Sequence, residues 1–478
     1  MIILGLTFGK CSCFIYNKDG YTKGAIGIMF FKGSVFHTPS YGQLEFLEDA
    51  LIEVNQQGVI EEVYTIEHRL YEEKLAYARQ QAILTDLKQG QYFLPGFVDL
   101  HVHAPQWPQA GVALDEPLNV WLDECTFPLE AKYQDVAFAK QVYNDLVANL
   151  LARGTTTVLY FATVHLEASL ALAKICAERG QRGLVGKVVM DHPEMNPDFY
   201  RDATTEQALA DTEAFILAVK EMGADVLQGV YPVVTPRFVP SCTDEGLAGL
   251  GQLVDKYQVH VQSHCSEGQW EHDHVKERFG KTDTEVLNDF GLLTEKSVMA
   301  HCNFIDEHDG NLFVETGTAV AHCPISNAYF ANGVIPTKRL KEQGVEMGLG
   351  TDISGGFSPS LWDNIKQAVM SSRMLEDGVD VQQPQVTRGV ADSRISVIDA
   401  FSLATQGGGE ALSLPVGVIA KGYACDLQVV DMQASYGTLT GFGVFNKPEE
   451  QLQKLLYLAT PEHIKQVWVQ GQLVHEKN

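Results

Sequence analysis

The sequence of 478 residues lacks any apolar run of about 18 residues, the length that a membrane-spanning helix requires. Positive charge is also scarce, because 35 Lys and Arg residues stand against 61 Asp and Glu residues and the formal net charge is −26. A strongly acidic surface repels phosphate groups. We therefore expect no transmembrane helix, no general nucleic-acid binding and no binding to anionic membranes.

Cysteine is sparse, and its number is odd. Nine cysteines are spread over the whole chain, whereas a small secreted protein that depends on disulfides carries a dense and even set. The apolar first residues, MIILGLTFGKC, have neither a basic start nor a small-residue cleavage site, so they do not resemble a secretory signal. Reduced thiols and a cytoplasmic location are the expectation.

Short apolar runs rich in Val, Ile, Thr and Tyr alternate with helical stretches between residues 94 and 412. Eight runs are read as strands: FLPGFVDLHVH, TTTVLYFATVH, GLVGKVVMD, VLQGVYPVVTPRF, VHVQSHCSE, SVMAHCNFI, TAVAHCPIS and VEMGLGTDIS. Thr204 and Gln207 have capping-box spacing before one helix, and Gly180 ends another. Such a series predicts an α/β fold with a parallel (β/α)₈ TIM barrel, and a doubly wound open sheet is the alternative.

The two flanks of this region contain further strand-like runs. Residues 29–93 and residues 413–478 are each too short for a stable all-β domain, so we expect them to pair into one small composite β-sandwich domain beside a catalytic barrel at 94–412. Residues 1–28 fit neither unit, and the hypothesis is a loosely packed extension upstream of the natural start. The polar stretch 378–393 is predicted to be a loop.

Histidines and an aspartate fall at several predicted strand ends. His101 and His103 are two residues apart on the first barrel strand, so their side chains share a face. The fifth strand ends near His264, the sixth contains His301, and the eighth ends near Asp352. Active sites of such barrels form at the C-terminal ends of the strands. Imidazole and carboxylate ligands suit Zn²⁺, and Fe²⁺ is the alternative.

Five other histidines are interpreted as surface or structural residues. His272 and His274 form a second His-x-His pair, but they lie in a polar helical stretch, so we expect a solvated face. His165, His192 and His322 are expected to be hydrogen-bonded structural residues.

A hydrolytic site also needs a nucleophile and a proton carrier. A catalytic zinc lowers the pKa of a bound water to about 7. Glu267 lies three residues after His264, close enough to shuttle a proton between water and substrate. His301 is a candidate to accept a hydrogen bond from the water or to stabilise developing charge.

Motifs of competing enzyme classes are incomplete. Gly280-Lys281-Thr282 resembles the end of a phosphate loop, but Val275 occupies the position of the first glycine. The chain has no Gly-x-Ser-x-Gly elbow and no His-x-Glu with Pro-Cys-x-x-Cys signature of cytidine-type deaminases.

Ten segments occur in order along the chain: PGFVDLHVHAPQ, WLDECTFPLE, GTTTVLYFATVH, GKVVMD, TPRF, SHCSE, VMAHC, AHCPISN, GLGTDISGG and LATQGGGEAL. Over about residues 29–478 they resemble the guanine deaminase branch of the amidohydrolase superfamily. Many amidohydrolases share the His-x-His pair and the aspartate. The motifs APQ, TFPLE and TPRF are more specific and point to the guanine deaminase branch.

This resemblance implies one zinc ion per subunit and a set of site residues. The implied metal ligands are His101, His103, His264 and Asp352, and the implied catalytic residues are Glu267, His301 and Asp352. The fourth strand lacks the lysine that becomes a bridging carbamate in two-metal relatives, which agrees with one metal. The implied substrate-binding residues are His103, Gln106, Arg237, Phe238, His264, Glu267 and Asp352.

The resemblance also implies a reaction. Metal-bound hydroxide attacks C2 of guanine, Glu267 moves protons from water to the ring nitrogen and then to the leaving ammonia, and xanthine is the product, as in purine catabolism and salvage. An arginine and an amide can read the ring edge of this neutral base while Phe238 supplies an apolar face. The resemblance further implies a homodimer. The alternatives are a related deaminase or chlorohydrolase acting on cytosine, 8-oxoguanine or a triazine, and a non-catalytic scaffold.

Overall fold

The computed structural model describes residues 27–434, 439 and 441–477. The predicted extension at 1–28 therefore lies outside the described residues, apart from its last two positions. The first described part contains the strands β1 (Met29–Ser40), β2 (Gln43–Val54), β3 (Ile60–Tyr64), β4 (Leu84–Asp86) and β5 (Gln91–Pro95), and the helix α1 (Tyr71–Gln80). This helix was not predicted, because strand-like runs precede and follow it in residues 29–93.

Eight parallel strands follow, and they pair in chain order. They are β6 (Phe97–His103), β7 (Thr155–Phe161), β8 (Arg182–Val189), β9 (Val230–Pro236), β10 (His260–Cys265), β11 (Ser297–His301), β12 (Ala319–His322) and β13 (Met347–Leu349). The barrel closes just beyond the last strand, where Val102 of β6 forms a parallel bridge with Ile353, four residues after β13. The predicted (β/α)₈ barrel is confirmed.

Helices connect and surround these strands. The α-helices are α2 (Leu118–Trp121), α3 (Phe127–Glu130), α4 (Val136–Leu151), α5 (Leu166–Arg179), α6 (Thr205–Gly223), α7 (Asp244–Tyr257), α8 (Gln269–Phe279), α9 (Asp283–Asp289), α10 (Glu307–Thr316), α11 (Pro324–Ser326), α12 (Thr337–Gln343), α13 (Leu361–Asp377), α14 (Gln385–Arg388), α15 (Val397–Ala404) and α16 (Gln406–Ala411). Shorter turns are 3₁₀ segments (Ala104–Gln109, Ala131–Gln134, Val239–Ser241) and π segments (Leu122–Thr126, Asn327–Ala331). Helix α14 lies inside the stretch predicted as a loop.

The last part of the chain adds β14 (Leu427–Asp431), α17 (Pro448–Leu458), β15 (Ile464–Val469) and β16 (Gln472–Glu476). Strands from both ends of the chain form one mixed sheet in the order β16-β15-β14-β5-β1-β2-β3, and β4 also pairs with β1. One face of this sheet buries Phe31, Ile52, Phe93 and Val429 in a single apolar cluster. Burial of this cluster links the two flanks.

The chain passes from the mixed sheet into the barrel at one glycine. The run predicted as a single strand is divided, since β5 pairs with β14 and β6 begins two residues later with β7 as its partner. Gly96 lies between them, and a Cβ atom there would come 2.2 Å from Oγ1 of Thr156. Only glycine permits this close approach.

Among the helices of the described residues, none combines the length and the hydropathy that a membrane span needs.

Candidate metal and active site

The C-terminal end of β6 presents two histidines to the barrel mouth. His101 and His103 are both buried, and all seven residues of the strand are buried because the sheet is covered on both faces. Asp99, two residues before His101, accepts hydrogen bonds from the amide (2.9 Å) and hydroxyl (2.7 Å) of Thr351. The strand is thereby tied to the segment that follows β13.

Four side chains from β6, β10 and the segment after β13 converge at this mouth. Nε2 of His103 lies 3.0 Å from Nε2 of His264, and Oδ1 of Asp352 lies 3.2 Å from Nε2 of His101 and 3.5 Å from Nε2 of His103. Ligand atoms of a tetrahedral zinc site at about 2.1 Å from the ion are about 3.4 Å apart. The spacings suit such a site.

The protonation states of the histidines also suit a metal. Nδ1 of His264 donates to the backbone carbonyl of Arg237 at 2.5 Å, which leaves Nε2 with a lone pair. Nε2 of His101 is buried and has no hydrogen-bond partner among the described residues. Burial is the main cause that lowers the pKa of His101, His103 and His264 well below the usual value. Neutral imidazoles with free lone pairs are what a divalent cation requires.

Glu267 lies beside these ligands, just after β10. Its Oε2 is 3.7 Å from Nε2 of His301, and His264, Glu267 and His301 form one of the groups whose donor atoms cluster closely. Burial, followed by the nearby charge of Asp352, raises the pKa of Glu267 to about 8. A carboxyl group with such a pKa can hold and release a proton near neutral pH.

His301 ends β11 in a left-handed conformation with φ of 70°. Its Nδ1 donates to Oδ1 of Asn327 at 2.9 Å, so the neutral ring has a free lone pair on Nε2. That nitrogen is 4.0 Å from Oδ2 of Asp352. Burial is the main cause that lowers the pKa of His301, against the opposing charge of Asp352. The neutral ring can accept a hydrogen bond at the centre of the site.

A buried polar network lies next to the histidines. Arg237 follows β9, and its Nη1 and Nη2 donate to Glu130 at 2.7 and 3.2 Å. Nε2 of Gln106, in the 3₁₀ turn after β6, donates to the same carboxylate at 2.9 Å. The Arg237 guanidinium also lies over the Phe127 ring at 5.1 Å. Glu130 therefore bridges Gln106 and Arg237, the two residues expected to bind the edge of the substrate ring.

Phe238 is half-buried next to this network. Its ring is 6.1 Å from that of Trp270, which in turn stacks on His274 at 5.5 Å. Trp270 is 58% exposed. These three rings form an aromatic row beside Arg237.

The structure corrects one expectation about the second His-x-His pair. His272 is buried rather than solvated, with Nδ1 3.6 Å from Oδ2 of Asp283. The reason is that Glu271, His272 and Val275 form the buried face of α8, and α8 packs next to α9, which carries Asp283. Of the histidines expected to be structural, His322 is buried, and burial lowers its pKa to about 3.

Three buried polar residues at the site were missed by sequence reasoning. Glu130 binds Arg237 and Gln106, Asn327 holds His301, and Glu271 accepts a hydrogen bond of 2.7 Å from the amide of Glu267. Glu130 is the last residue of TFPLE and Asn327 is the last residue of AHCPISN, so both residues belong to motifs that carry the family resemblance. No local pattern indicated which side chains they contact.

Fold and site together define a class. The model of the amidohydrolase family matches residues 92–474, and the chain belongs to this family of metal-dependent hydrolases.

Individual relatives narrow the similarity further. The human guanine deaminase is 36% identical over 457 residues, which cover 93% of this chain and 96% of the human protein. The Escherichia coli (strain K12) guanine deaminase is 30% identical over 394 residues, 81% of this chain and 84% of that protein. The crystal structure of the guanine deaminase from C. acetobutylicum, with guanine bound in its active site, superimposes with a TM-score of 0.82 at 31% identity and covers 93% of this chain and 99% of that one.

Proposed function

We propose that the protein is an enzyme that hydrolyses guanine to xanthine and ammonia in purine catabolism or salvage. The observation that carries the proposal is the buried cluster of His101, His103, His264 and Asp352 beside the Arg237–Glu130–Gln106 network, in a chain similar over 93% of its length to guanine deaminases. The overall reaction consumes one water and releases one ammonia.

One Zn²⁺ per subunit is the proposed cofactor, with Fe²⁺ as the alternative ion. Its ligands would be Nε2 of His101, His103 and His264 and a carboxylate oxygen of Asp352. Such an ion supplies Lewis acidity and lowers the pKa of a water near it to about 7. The unpartnered Nε2 of His101 and the lone pair on Nε2 of His264 support this assignment.

Glu267 is the proposed proton carrier. Its carboxylate takes a proton from the attacking water, delivers it to the ring nitrogen next to C2, and then helps the amino group leave as ammonia. Asn327 fixes the ring of His301, whose Nε2 accepts a hydrogen bond from the attacking water. Asp352 also accepts a hydrogen bond from this nucleophile. The distance of 3.7 Å between Glu267 and His301 supports a shared task at the reacting carbon.

Gln106, Arg237 and Phe238 are the proposed substrate-reading residues. Guanine is a neutral planar base with donors and acceptors around its rim, so an amide and a guanidinium can pair with it while an aromatic ring covers one face. His103, His264, Glu267 and Asp352 would line the side on which C2 reacts. The net charge of −26 agrees with a neutral substrate, since no basic surface is needed to attract it.

We further propose a cytoplasmic homodimer with no nucleic-acid partner.

In the proposed division into domains, residues 94–412 carry the catalytic barrel and residues 29–93 and 413–478 form the accompanying β-domain. The mixed sheet built from both chain ends supports this division.

Ammonia release from a panel of bases tests the proposed function. Metal-replete protein is incubated with guanine, 8-oxoguanine, cytosine and adenine, and a triazine is assayed for chloride or amine release. We expect kcat/KM to be highest for guanine and at least about 100-fold higher than for cytosine and adenine, because a site built to bind the polar groups of guanine rejects bases that lack them. Preference for another ring would identify a related deaminase or chlorohydrolase, and no turnover of any ring would favour a scaffold.

A further inference from the structure

Glu130 is buried at the end of α3, and it accepts hydrogen bonds from both proposed substrate-reading residues. Oε1 accepts from Nε2 of Gln106 and Nη2 of Arg237, and Oε2 accepts from Nη1 of Arg237. Glu130 is fully buried, Gln106 is 2% exposed and Arg237 is 5% exposed. A carboxylate accepts hydrogen bonds but cannot donate them, so it determines which end of the Gln106 amide faces it.

This contact gives the amide a direction. Nε2 of Gln106 is used by Glu130, so Oε1 is turned away from it. Oε1 is buried and has no hydrogen-bond partner in the part of the chain that the structure describes. Buried polar atoms in proteins are generally paired with a donor or acceptor. An unpaired, buried acceptor on the turn that follows His103 therefore calls for a donor from a bound molecule.

The same carboxylate divides the donors of Arg237. Of the five N–H groups of a guanidinium, Nη1 uses two on Glu130 and the sulfur of Met190, and Nη2 uses one on Glu130. Among the residues that the structure describes, the Nε–H group and one Nη2–H group have no acceptor, so they are left for a ligand. The Phe127 ring under the guanidinium at 5.1 Å limits its rotation.

The turn that carries Gln106 is itself fixed to the same segment. Nε2 of Gln109 donates to Oγ1 of Thr126 at 2.8 Å, and both side chains are buried. Thr126, Phe127 and Glu130 belong to the TFPLE segment. This segment therefore contacts Gln109, Arg237 and Gln106 through three different side chains.

We propose that Glu130 is a positioning residue that sets the specificity of the site, by holding Gln106 as an acceptor and Arg237 as a donor toward the substrate. The pair then selects a ring with an N–H group next to a carbonyl oxygen, as N1–H and C6=O of a 6-oxopurine are. This inference rests on the proposed function, because it assumes that a purine binds beside the metal ligands.

Two competitive inhibitors that cannot lose a 2-amino group measure this role directly. Hypoxanthine has N1–H and C6=O, and purine has neither. We expect the wild-type enzyme to bind hypoxanthine at least about tenfold more tightly than purine, the effect of one or two buried hydrogen bonds. Glu130→Gln should abolish this preference, since its amide no longer fixes the direction of Gln106. It should change the inhibition constant of purine less than threefold and leave metal content unchanged. The matched control is Glu124→Gln, an exposed position two residues before the TFPLE segment.

A double-mutant cycle separates positioning from a merely structural role. Gln106→Met removes the amide and should weaken hypoxanthine about tenfold in the wild type but less than threefold in the Glu130→Gln background, because the acceptor is already lost there. Equal losses in both backgrounds, or a Glu130→Gln variant that weakens hypoxanthine and purine alike, would overturn the inference.

A milder variant keeps the test valid if Glu130→Gln does not fold. Glu130→Asp retains the negative charge but moves the carboxylate back by one methylene group, away from both Gln106 and Arg237. The coupling to Gln106→Met should therefore be partly lost in this variant. The wild-type enzyme separates this inference from the proposed function. If it deaminates guanine while the hypoxanthine preference survives in both Glu130 variants, only the role of Glu130 is refuted.

Discussion

Burial sets the protonation states of the side chains at the barrel mouth. It lowers the pKa of the three histidines whose Nε2 atoms converge, and it raises the pKa of Glu267 to about 8. The same physical cause therefore has opposite effects on the two kinds of group, because burial disfavours whichever form is charged. The site combines neutral ligands with a carboxyl group able to carry a proton.

Replacing Glu267 with glutamine tests the proton carrier. The amide keeps the size and polarity of the side chain but cannot exchange a proton, so kcat for guanine should fall by at least about 100-fold. Metal content, measured by atomic emission, should equal that of the wild type. Glu277→Gln on the exposed face of α8 is the control. Retention of more than a tenth of the activity would be inconsistent with the assigned role.

Replacing His103 with alanine tests the metal ligands. Loss of one of four ligands should leave the purified, dialysed protein with less than about a tenth of the wild-type metal, since each ligand contributes to the affinity. His308→Ala is the control, because the side chain of His308 is 68% exposed on α10. A His103→Ala protein that keeps a full equivalent of metal would exclude His103 as a ligand.

The hydrogen-bond partners of the side chains at the site were the feature least predictable from the sequence. The residue types at the strand ends indicated a metal site, because His-x-His and a distant aspartate fall on one rim of a barrel. Glu130 was missed as a partner of Arg237 because the two are 107 positions apart in sequence. Hydrogen-bond partners of this kind depend on the tertiary path of the chain.

At the scale of elements, the connection from β10 to α8 positions Glu267. Ser266 has φ of 48° and donates to Oδ2 of Asp283 at 2.8 Å, and the next amide donates to Glu271 at 2.7 Å. Burial, then the charges of Asp283 and Glu267, raises the pKa of Glu271 well above its usual value. This carboxyl group is therefore protonated in the folded protein over a pH range in which an unfolded chain would ionise it.

This raised pKa predicts a pH-dependent effect of Glu271→Gln. In the wild type, the contribution of Glu271 to folding is greatest below its unfolded pKa of about 4.3 and is lost as the pH rises toward its folded pKa. Glutamine does not titrate, so the unfolding free energy of the variant minus that of the wild type should increase from pH 5 to pH 8. Urea unfolding at three pH values measures it.

The control for this effect is Glu245→Gln, an exposed position at the start of α7. Its difference from the wild type should stay constant over the same range. A Glu271→Gln difference that is constant, or that decreases with pH, would show that Glu271 is already ionised in the fold.

Elements were predicted well where periodicity and caps agree. All eight barrel strands were found, and the ends of two helices are as expected: Thr204 accepts from the amide of Gln207, and Gly180 ends α5 with φ of 77°. Helix α17 was missed although Pro448 stands in its first turn before Glu449 and Glu450, which is typical of a helix start. Strand-like runs on both sides outweighed that signal.

At the scale of the whole molecule, a buried ion pair joins the barrel to the mixed sheet. Arg182, the first residue of β8, pairs with Asp426 just before β14, and its Nη2 also donates to Oε1 of Gln470 at 2.6 Å. Asp426 in turn accepts from the amide of Gln470 at 2.8 Å. The contact lies at the N-terminal end of the barrel strands, opposite the candidate site.

Asp426→Ala tests this link. It leaves the Arg182 charge buried and unpaired, so the unfolding free energy should fall by about 3–5 kcal/mol. The kcat/KM for guanine should stay within about twofold of the wild type at temperatures where the variant is folded, since the reacting groups are untouched. Calorimetry and steady-state kinetics measure both effects, with the exposed Asp255→Ala as control. An unchanged stability, or an activity lost in the folded variant, would contradict the structural role.

Conversion of guanine by purified, zinc-loaded protein is the direct test of the proposed reaction. Xanthine and ammonia are quantified in parallel over the same time course. Both products should form in equal molar amounts, and a chelator should abolish their formation. Guanine recovered unchanged from folded, zinc-loaded protein would contradict the proposed reaction.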